Sequence, residues 1–261
     1  MGLSADRRLL FVFYGIMMNG LFITGTDTEI GKTFITAILT LGLRNMGMSV
    51  CPAKPIASGG VLYENSWISE DVLTYQRLTG ILEAPSLLSP ICFQRPASPH
   101  LAAELEGQSI RPQQAIDALH ELAQWYEMLL IEGIGGWLVP ITYEYSVADL
   151  AQEIQFPVLV VSANKLGTLN HTLLTLESIR NRGLSIAGVV MTNPNRPGDS
   201  DIAANNIETI KKVGHVEILG VIPYLGENAV QTHTPDTLWP KIKDQILWQR
   251  IRQILHTPGN V

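Results

Sequence analysis

Gly25, Gly31, Lys32 and Thr33 are the residues whose types and spacing most directly imply chemistry. They lie in LFITGTDTEIGKTF (Leu21–Phe34), where an apolar, β-branched run enters a turn-rich loop and an apolar-periodic segment leaves it. Glycines at both ends let the loop turn tightly and aim backbone N–H groups at phosphate oxygens. Lys32 supplies a point charge near the β/γ-phosphates, and the Thr33 hydroxyl is placed to ligate Mg²⁺. Five residues rather than four separate Gly25 from Gly31, one more than the strict G-x-x-x-x-G-K-[ST] pattern. An ordinary strand–helix turn with a surface lysine is the plain alternative. The strand before the loop and the helix after it favour a nucleotide.

Further candidates follow other apolar runs: Lys54 and Ser58 after Met48–Ala53, and Glu132 after Met128–Ile131. Lys165 and the Gly167–Asn170 turn follow Pro157–Ala163, while Asn193 and Pro223–Leu225 follow two later runs. Asp71 lies in a segment of helical spacing, Ser66–Gly80. Singly, such a lysine is usually solvated and such an acid often caps a helix. Jointly they describe a phosphoryl-transfer site. Mg²⁺ is a hard ion that takes oxygen ligands, which Thr33, Asp71 and Glu132 offer. Lys32 and Lys54 would neutralise charge on the transferring group. The histidines form no triad and no metal-ligand spacing, and no G-x-S-x-G occurs, so hydrolase and zinc readings fall away.

The elements that must position these residues are short, continuously apolar strands alternating with amphipathic helices. Six or so apolar runs predict an α/β fold with a doubly wound, mostly parallel sheet and helices on both faces. Ligands of such sheets bind beyond the carboxyl ends of the strands, where these candidates collect. Helices are expected over Thr33–Met46, Pro112–Tyr126, Thr168–Arg182 and Asp201–Val213. Recurring prolines predict an irregular surface connection at Ala84–Pro99. Trp239–Leu255 reads as one amphipathic helix.

At 261 residues, with 46% hydrophobic residues and a net charge of −6, the chain can bury a large core and shows no basic signature for nucleic acid. Cys51 and Cys92 read as reduced core thiols of a cytosolic protein. The apolar run Leu9–Met18 is too short to span a bilayer and lacks a small-residue cleavage site. Met1–Met17 is therefore expected to be a dispensable extension, with residues 18–261 forming one domain.

GTDTEIGKT (Gly25–Thr33), KPIASG (Lys54–Gly59), SPH (Ser98–His100), IEGIGGW (Ile131–Trp137), NKLGTLNH (Asn164–His171) and IPYLGEN (Ile222–Asn228) together resemble the dethiobiotin synthetase family. The first motif is shared by several related ATPases; the combination is specific. The resemblance implies a P-loop ATPase-like ligase that closes a cyclic urea on 7,8-diaminopelargonate with CO₂ and Mg-ATP, in biotin synthesis. It implies that Glu29, Ile30, Gly31, Lys32 and Thr33 bind the ATP phosphates, and that Gly133, Ile134 and Gly135 also bind ATP. Thr33, Asp71 and Glu132 would hold Mg²⁺, Lys54 and Lys32 would be catalytic, and Asn193, Pro223, Tyr224 and Leu225 would cradle adenine. Thr28 and Ser58 would contact the diamine or its carbamate. Gly167, Thr168, Leu169 and Asn170 would bind its carboxylate across the interface of a homodimer, in the cytoplasm.

The adenine-side acid of some relatives aligns with Ala229 or Val230, leaving Glu227 as a substitute. The alternative class is a membrane-associated or partition-type switch ATPase, whose basic amphipathic tail would rest on lipid. Such proteins carry a signature lysine early in the phosphate loop, where this chain has Thr26–Glu29. The tail is expected to dock on its own domain.

Overall fold

The computed structural model describes residues 18–193 and 200–256. Six parallel strands form the central sheet in the spatial order Ile218–Ile222, Ile186–Thr192, Val158–Ala163, Gly20–Gly25, Met128–Glu132, Val50–Ala53. Every residue of the Gly20–Gly25, Met128–Glu132 and Val158–Ala163 strands is buried, as continuous apolar runs covered on both faces should be. From Gly20–Gly25 the chain winds outward to Val50–Ala53, and later from Val158–Ala163 outward in the other direction. Right-handed crossovers therefore put the helix Lys32–Asn45 on one face and the helices Thr168–Asn181 and Ser200–Gly214 on the other. The change of direction between Gly20–Gly25 and Val158–Ala163 opens a crevice at the strands' carboxyl ends. Both the phosphate loop and the Gly167–Asn170 turn emerge there.

Four expectations about secondary structure are corrected. Ala84–Pro99 is not irregular throughout and lies only partly on the surface: Gln94–Pro96 are exposed, but it holds a short helix, Pro85–Leu88, and a strand, Ile91–Cys92, that pairs parallel to Ile56–Ala57. Leu88 and Phe93 are buried, because Pro85 takes a first-turn helix position instead of breaking the chain. Ser66–Gly80 is not uniformly helical, since Ser66–Ile68 pairs with Val61–Tyr63 in a hairpin and the helix is Glu70–Thr79. Ser69 caps that helix by accepting the Asp71 N–H.

The tail, third, is two helices, Pro235–Ile242 and Trp248–His256, separated by a bridge between Ile246 and Gly220. That bridge converts one stripe of apolar residues into two pieces, each seated on the core. Leu238, Ile242, Ile246, Ile251 and Leu255 are all buried. Trp248 packs where Gly42 leaves room; a Cβ at Gly42 would lie 2.2 Å from its ring. The helix from Pro112 also ends earlier than expected, at Leu122. Residues 1–17, including the expected extension, lie outside the described residues, and no described helix is long and apolar enough to cross a membrane.

Candidate active site

Gly31 adopts a left-handed conformation (φ 93°) that an L side chain rarely takes, and it starts the helix Lys32–Asn45 directly from the loop. Free N–H groups of the first helical turn thus face the crevice. Gly25 has no space for a side chain: a Cβ there would lie 2.7 Å from Ile30 and 2.9 Å from the Lys32 stem. The loop is pinned from below by Thr192, whose hydroxyl donates to the Ile30 carbonyl at 2.8 Å. Thr28 and Glu29 are exposed at its rim.

Strand register brings the acid and the lysine together. Ala53 lies opposite Ile131, so Lys54 and Glu132 leave adjacent strands side by side. Lys54 Nζ donates to Glu132 Oε1 at 2.6 Å and pairs with Asp71 Oδ2 at 3.0 Å. Thr33 Oγ1 lies 2.6 Å from Asp71 Oδ1 and 3.0 Å from Glu132 Oε1. Tyr75 donates its hydroxyl to the other Glu132 oxygen. Four sequence-predicted residues, Thr33, Lys54, Asp71 and Glu132, thus form one cluster from four separate elements.

Electrostatics define its state. Burial by itself would lower the Lys54 pKa, but Asp71 and Glu132 outweigh burial and raise it, so the side chain stays an ammonium. Burial likewise opposes ionisation of Asp71, and Lys54 and the Thr33 hydroxyl overcome it and hold the carboxyl below its usual range. Lys32 differs. Burial, with repulsion from Lys54, pulls its pKa down to about 8 against the attraction of Glu132, Asp71 and Asp27. Its Nζ donates to the Asp27 carbonyl at 3.0 Å, an interaction without a full counter-charge.

Thr33, Asp71 and Glu132 suit a hard cation. Octahedral Mg²⁺ at its usual bond length sets neighbouring ligand oxygens about 2.9 Å apart, close to the spacing of these oxygens. Among the described residues no group of three or more His, Cys, Asp or Glu gathers around a point; Mg²⁺ bound by one or two carboxylates ordinarily completes its shell with water and substrate phosphates.

Other predicted residues are more dispersed. Gly133 bonds through its N–H to the Ile23 carbonyl at 2.9 Å, and Ile134 and Gly135 follow in a half-buried loop against the phosphate loop. Half-buried Ser58 is held by its neighbours Gly59 and Gly60, which bond to Arg95 and Phe93. Asn193 bonds through both its backbone and its side chain to the Ile222 carbonyl, which places it against Pro223, Tyr224 and Leu225 two strands from the phosphate loop. Gly167 has φ 89° and starts the helix Thr168–Asn181; Thr168 is buried, Leu169 half-buried and Asn170 exposed. Among the described hydrogen bonds none joins this turn to the Lys54 cluster. A cleft of about 420 Å³, bordered by Thr26, Trp137, Pro140 and Leu174, opens between the phosphate loop and that helix.

Two residues escaped the sequence reading. Tyr75 was visible only as an apolar-face residue of a helix. Its position four residues after Asp71, one turn along the same face, was the usable signal. Thr192 ends a strand, and nothing local marks it as the prop of a loop 162 residues away. The thiols give no rival site: burial raises the pKa of Cys51, and that of half-buried Cys92 to about 11.

A parallel sheet with this loop at its switch point defines a P-loop nucleotide-binding protein. The AAA domain family model matches residues 19–231. The fold is similar to that of a ParA family ATPase from Chlorobium tepidum (TM-score 0.51, 14% identity, 92% of this chain and 98% of that one). It is likewise similar to that of the MinD cell division protein of Aquifex aeolicus (TM-score 0.54, 14% identity, 93% of this chain and 99% of that one). At such identities the likeness is one of fold.

Sequence similarity is narrower. The chain is 38% identical over 209 residues to the ATP-dependent dethiobiotin synthetase of Anoxybacillus flavithermus, covering 80% of this chain and 93% of that protein. It is 35% identical over 206 residues to the one from Methanocaldococcus jannaschii, covering 77% and 92%. The chain belongs to the dethiobiotin synthetase family, a family of ATP-dependent ligases.

Proposed function

We propose that this chain closes a cyclic urea on 7,8-diaminopelargonate using CO₂ and Mg-ATP. The observation that carries the proposal is the buried Thr33–Lys54–Asp71–Glu132 cluster at the mouth of the phosphate loop, in a chain similar to enzymes named for that synthesis. Three steps balance the chemistry. An amine nitrogen bonds to the CO₂ carbon and loses a proton, giving a carbamate. A carbamate oxygen then bonds to the γ-phosphorus as the bond to ADP breaks. Finally the second amine bonds to the carbonyl carbon, phosphate leaves from the mixed anhydride, and a proton is released.

The residues orient and stabilise. Backbone N–H groups of Glu29–Thr33 hold the phosphates, with Lys32 charged against them, and the Gly133–Gly135 loop borders the ATP. Lys54, kept an ammonium by its two carboxylates, offers charge to the carbamate and the transferring phosphoryl group, and is no base. Thr33, Asp71 and Glu132 would hold Mg²⁺, which supplies positive charge that orients and neutralises the β- and γ-phosphates. Asn193 with Pro223, Tyr224 and Leu225 receives the adenine. Thr28 and Ser58 face the diamine, whose carboxylate meets Gly167–Asn170 of a second copy in a homodimer. Holding carbamate and phosphate in line replaces a chance encounter with an oriented one, and the crevice shields the anhydride from water. The reading places the protein in the cytoplasm, where ATP is supplied.

The tail opposes the switch-ATPase alternative, since among the described residues its apolar positions Leu238, Ile242, Ile246, Ile251 and Leu255 are buried against its own domain and not presented to lipid. The test is phosphate release from purified protein. It should require Mg-ATP, CO₂ or bicarbonate and the diamine together, and mass spectrometry should find the cyclic urea. Equal release with and without diamine and CO₂ would falsify the assignment and return the lead to a switch ATPase.

A further inference from the structure

The phosphate loop, the adenine side and the Gly167–Asn170 turn lie on successive strand ends, and one polar pair ties the last two together. Asn164, directly after the Val158–Ala163 strand, donates its side-chain Nδ2 to the Ala203 carbonyl at 3.2 Å. Its Oδ1 accepts from Asn206 Nδ2 at 3.0 Å. The assignment is self-consistent: the group facing a carbonyl must be the NH₂, so the other end of Asn164 is an acceptor and Asn206 must present its own NH₂. Asn206 is 7% exposed, so this bond is made away from water. Ala203 and Asn206 belong to the first turns of Ser200–Gly214, the helix that follows Asn193.

The same residue is also tied on the other side. The Asn164 N–H donates to the Thr192 carbonyl at 2.8 Å, and the Thr192 hydroxyl donates to the Ile30 carbonyl of the phosphate loop at 2.8 Å. Beyond Asn164 the described bonds are local, Lys165 N–H to the Ala163 carbonyl at 2.9 Å and Thr168 N–H to the Lys165 carbonyl at 3.1 Å, with Leu166 92% exposed, before the Thr168 hydroxyl pairs with Ser162 at 2.7 Å. The base of the turn is therefore held from the nucleotide side through Asn164 and from its own strand through Ser162.

We infer that Asn164 and Asn206 form a positioning clasp that couples nucleotide occupancy to the diamine-binding turn Gly167–Asn170, so that nucleotide bound to one protomer tightens diamine binding at the site its turn completes. The inference rests on the function proposed above. It assigns neither asparagine a contact with substrate. Losing the clasp leaves the half-buried Asn164 acceptor unpaired and the turn less firmly guided, which reduces the coupling and leaves the Lys54 cluster in place.

The experiment compares diamine affinity with and without Mg²⁺ and a non-hydrolysable ATP analogue, in the wild-type chain and in Asn206→Leu. Wild type should bind diamine about tenfold more tightly when the analogue is present. Asn206→Leu should reduce that ratio to about one, raise the diamine KM and leave saturated kcat within about twofold. A purely structural role would lower Tm and leave the ratio intact, which overturns the inference. If Asn206→Leu does not fold, Asn164→Ala at its half-buried position decides in the same assay. A wild-type chain that binds no diamine refutes the proposed function itself; a wild-type chain that binds it equally with and without nucleotide refutes only the coupling.

Discussion

Lys54 and Glu132 stand 78 residues apart in sequence, and their side chains meet at 2.6 Å with almost no exposure to solvent. Two charges pay heavily in desolvation to sit there, and a pair so buried is weak evidence of stabilisation by itself. Its retention beside a phosphate loop makes sense as prepared charge for a reaction.

Lys54→Ala tests that reading directly. We expect kcat to fall by about 10²-fold or more, as for loss of a preorganised charge donor. Stability should fall by about 3–5 kcal/mol, because Asp71 and Glu132 lose their buried partner. Turnover and denaturant unfolding measure the two effects separately. Near wild-type kcat would remove Lys54 from the chemistry.

Tyr75→Phe keeps the ring and deletes the donor to Glu132. Groups that orient a ligating carboxylate typically change metal affinity by about 10–100-fold when lost. The expected result is a raised Mg²⁺ requirement, restored by excess Mg²⁺, at a stability cost of about 1–3 kcal/mol. An unchanged Mg²⁺ titration would reduce Tyr75 to a packing residue.

Lys32 should impose a pH dependence. Its pKa is lowered to about 8 in the folded chain from 10.5. Between those values the unfolded chain binds the extra proton, so this group's contribution to stability is present above pH 10.5 and lost as pH falls through about 8. Phosphates favour the charged form, so ATP binding should take up a proton near pH 8–9. Calorimetry in buffers of different ionisation enthalpy would show it, and Lys32→Arg should abolish it.

Subunit mixing tests the shared site. Inactive Lys54→Ala and inactive Asn170→Ala chains should regain activity together, through heterodimers carrying one intact composite site. If demonstrably exchanged subunits stay inactive, the turn serves its own chain.

A chain beginning at Met18 should retain activity and Tm, since the first strand starts at Gly20. A Tm lower by more than a few degrees would show that residues 1–17 pack on the fold.

Much of this was legible in one dimension. The phosphate loop is local: Gly31, Lys32 and Thr33 are consecutive, and their conformation follows from glycine and a helix start. Glu132 was legible because a short apolar run ended by an acid marks a buried parallel strand. The tail was misread as one helix because its period continues through Ile246, and only pairing with Gly220 breaks it. Ala84–Pro99 was misread because proline says where a chain turns, and says nothing of what then covers it.

The sequence by itself determined the strand–loop–helix order, the doubly wound class and the family, since each rests on short-range pattern or contiguous motif. Tertiary structure alone decided that Lys54 would be held by both Asp71 and Glu132, that Tyr75 would complete the cluster, and that Asn164 would reach Asn206. Those contacts join elements whose relative placement depends on strand order and register. Side-chain identity names the available donors and acceptors, but packing of the sheet and its helices chooses which of them meet.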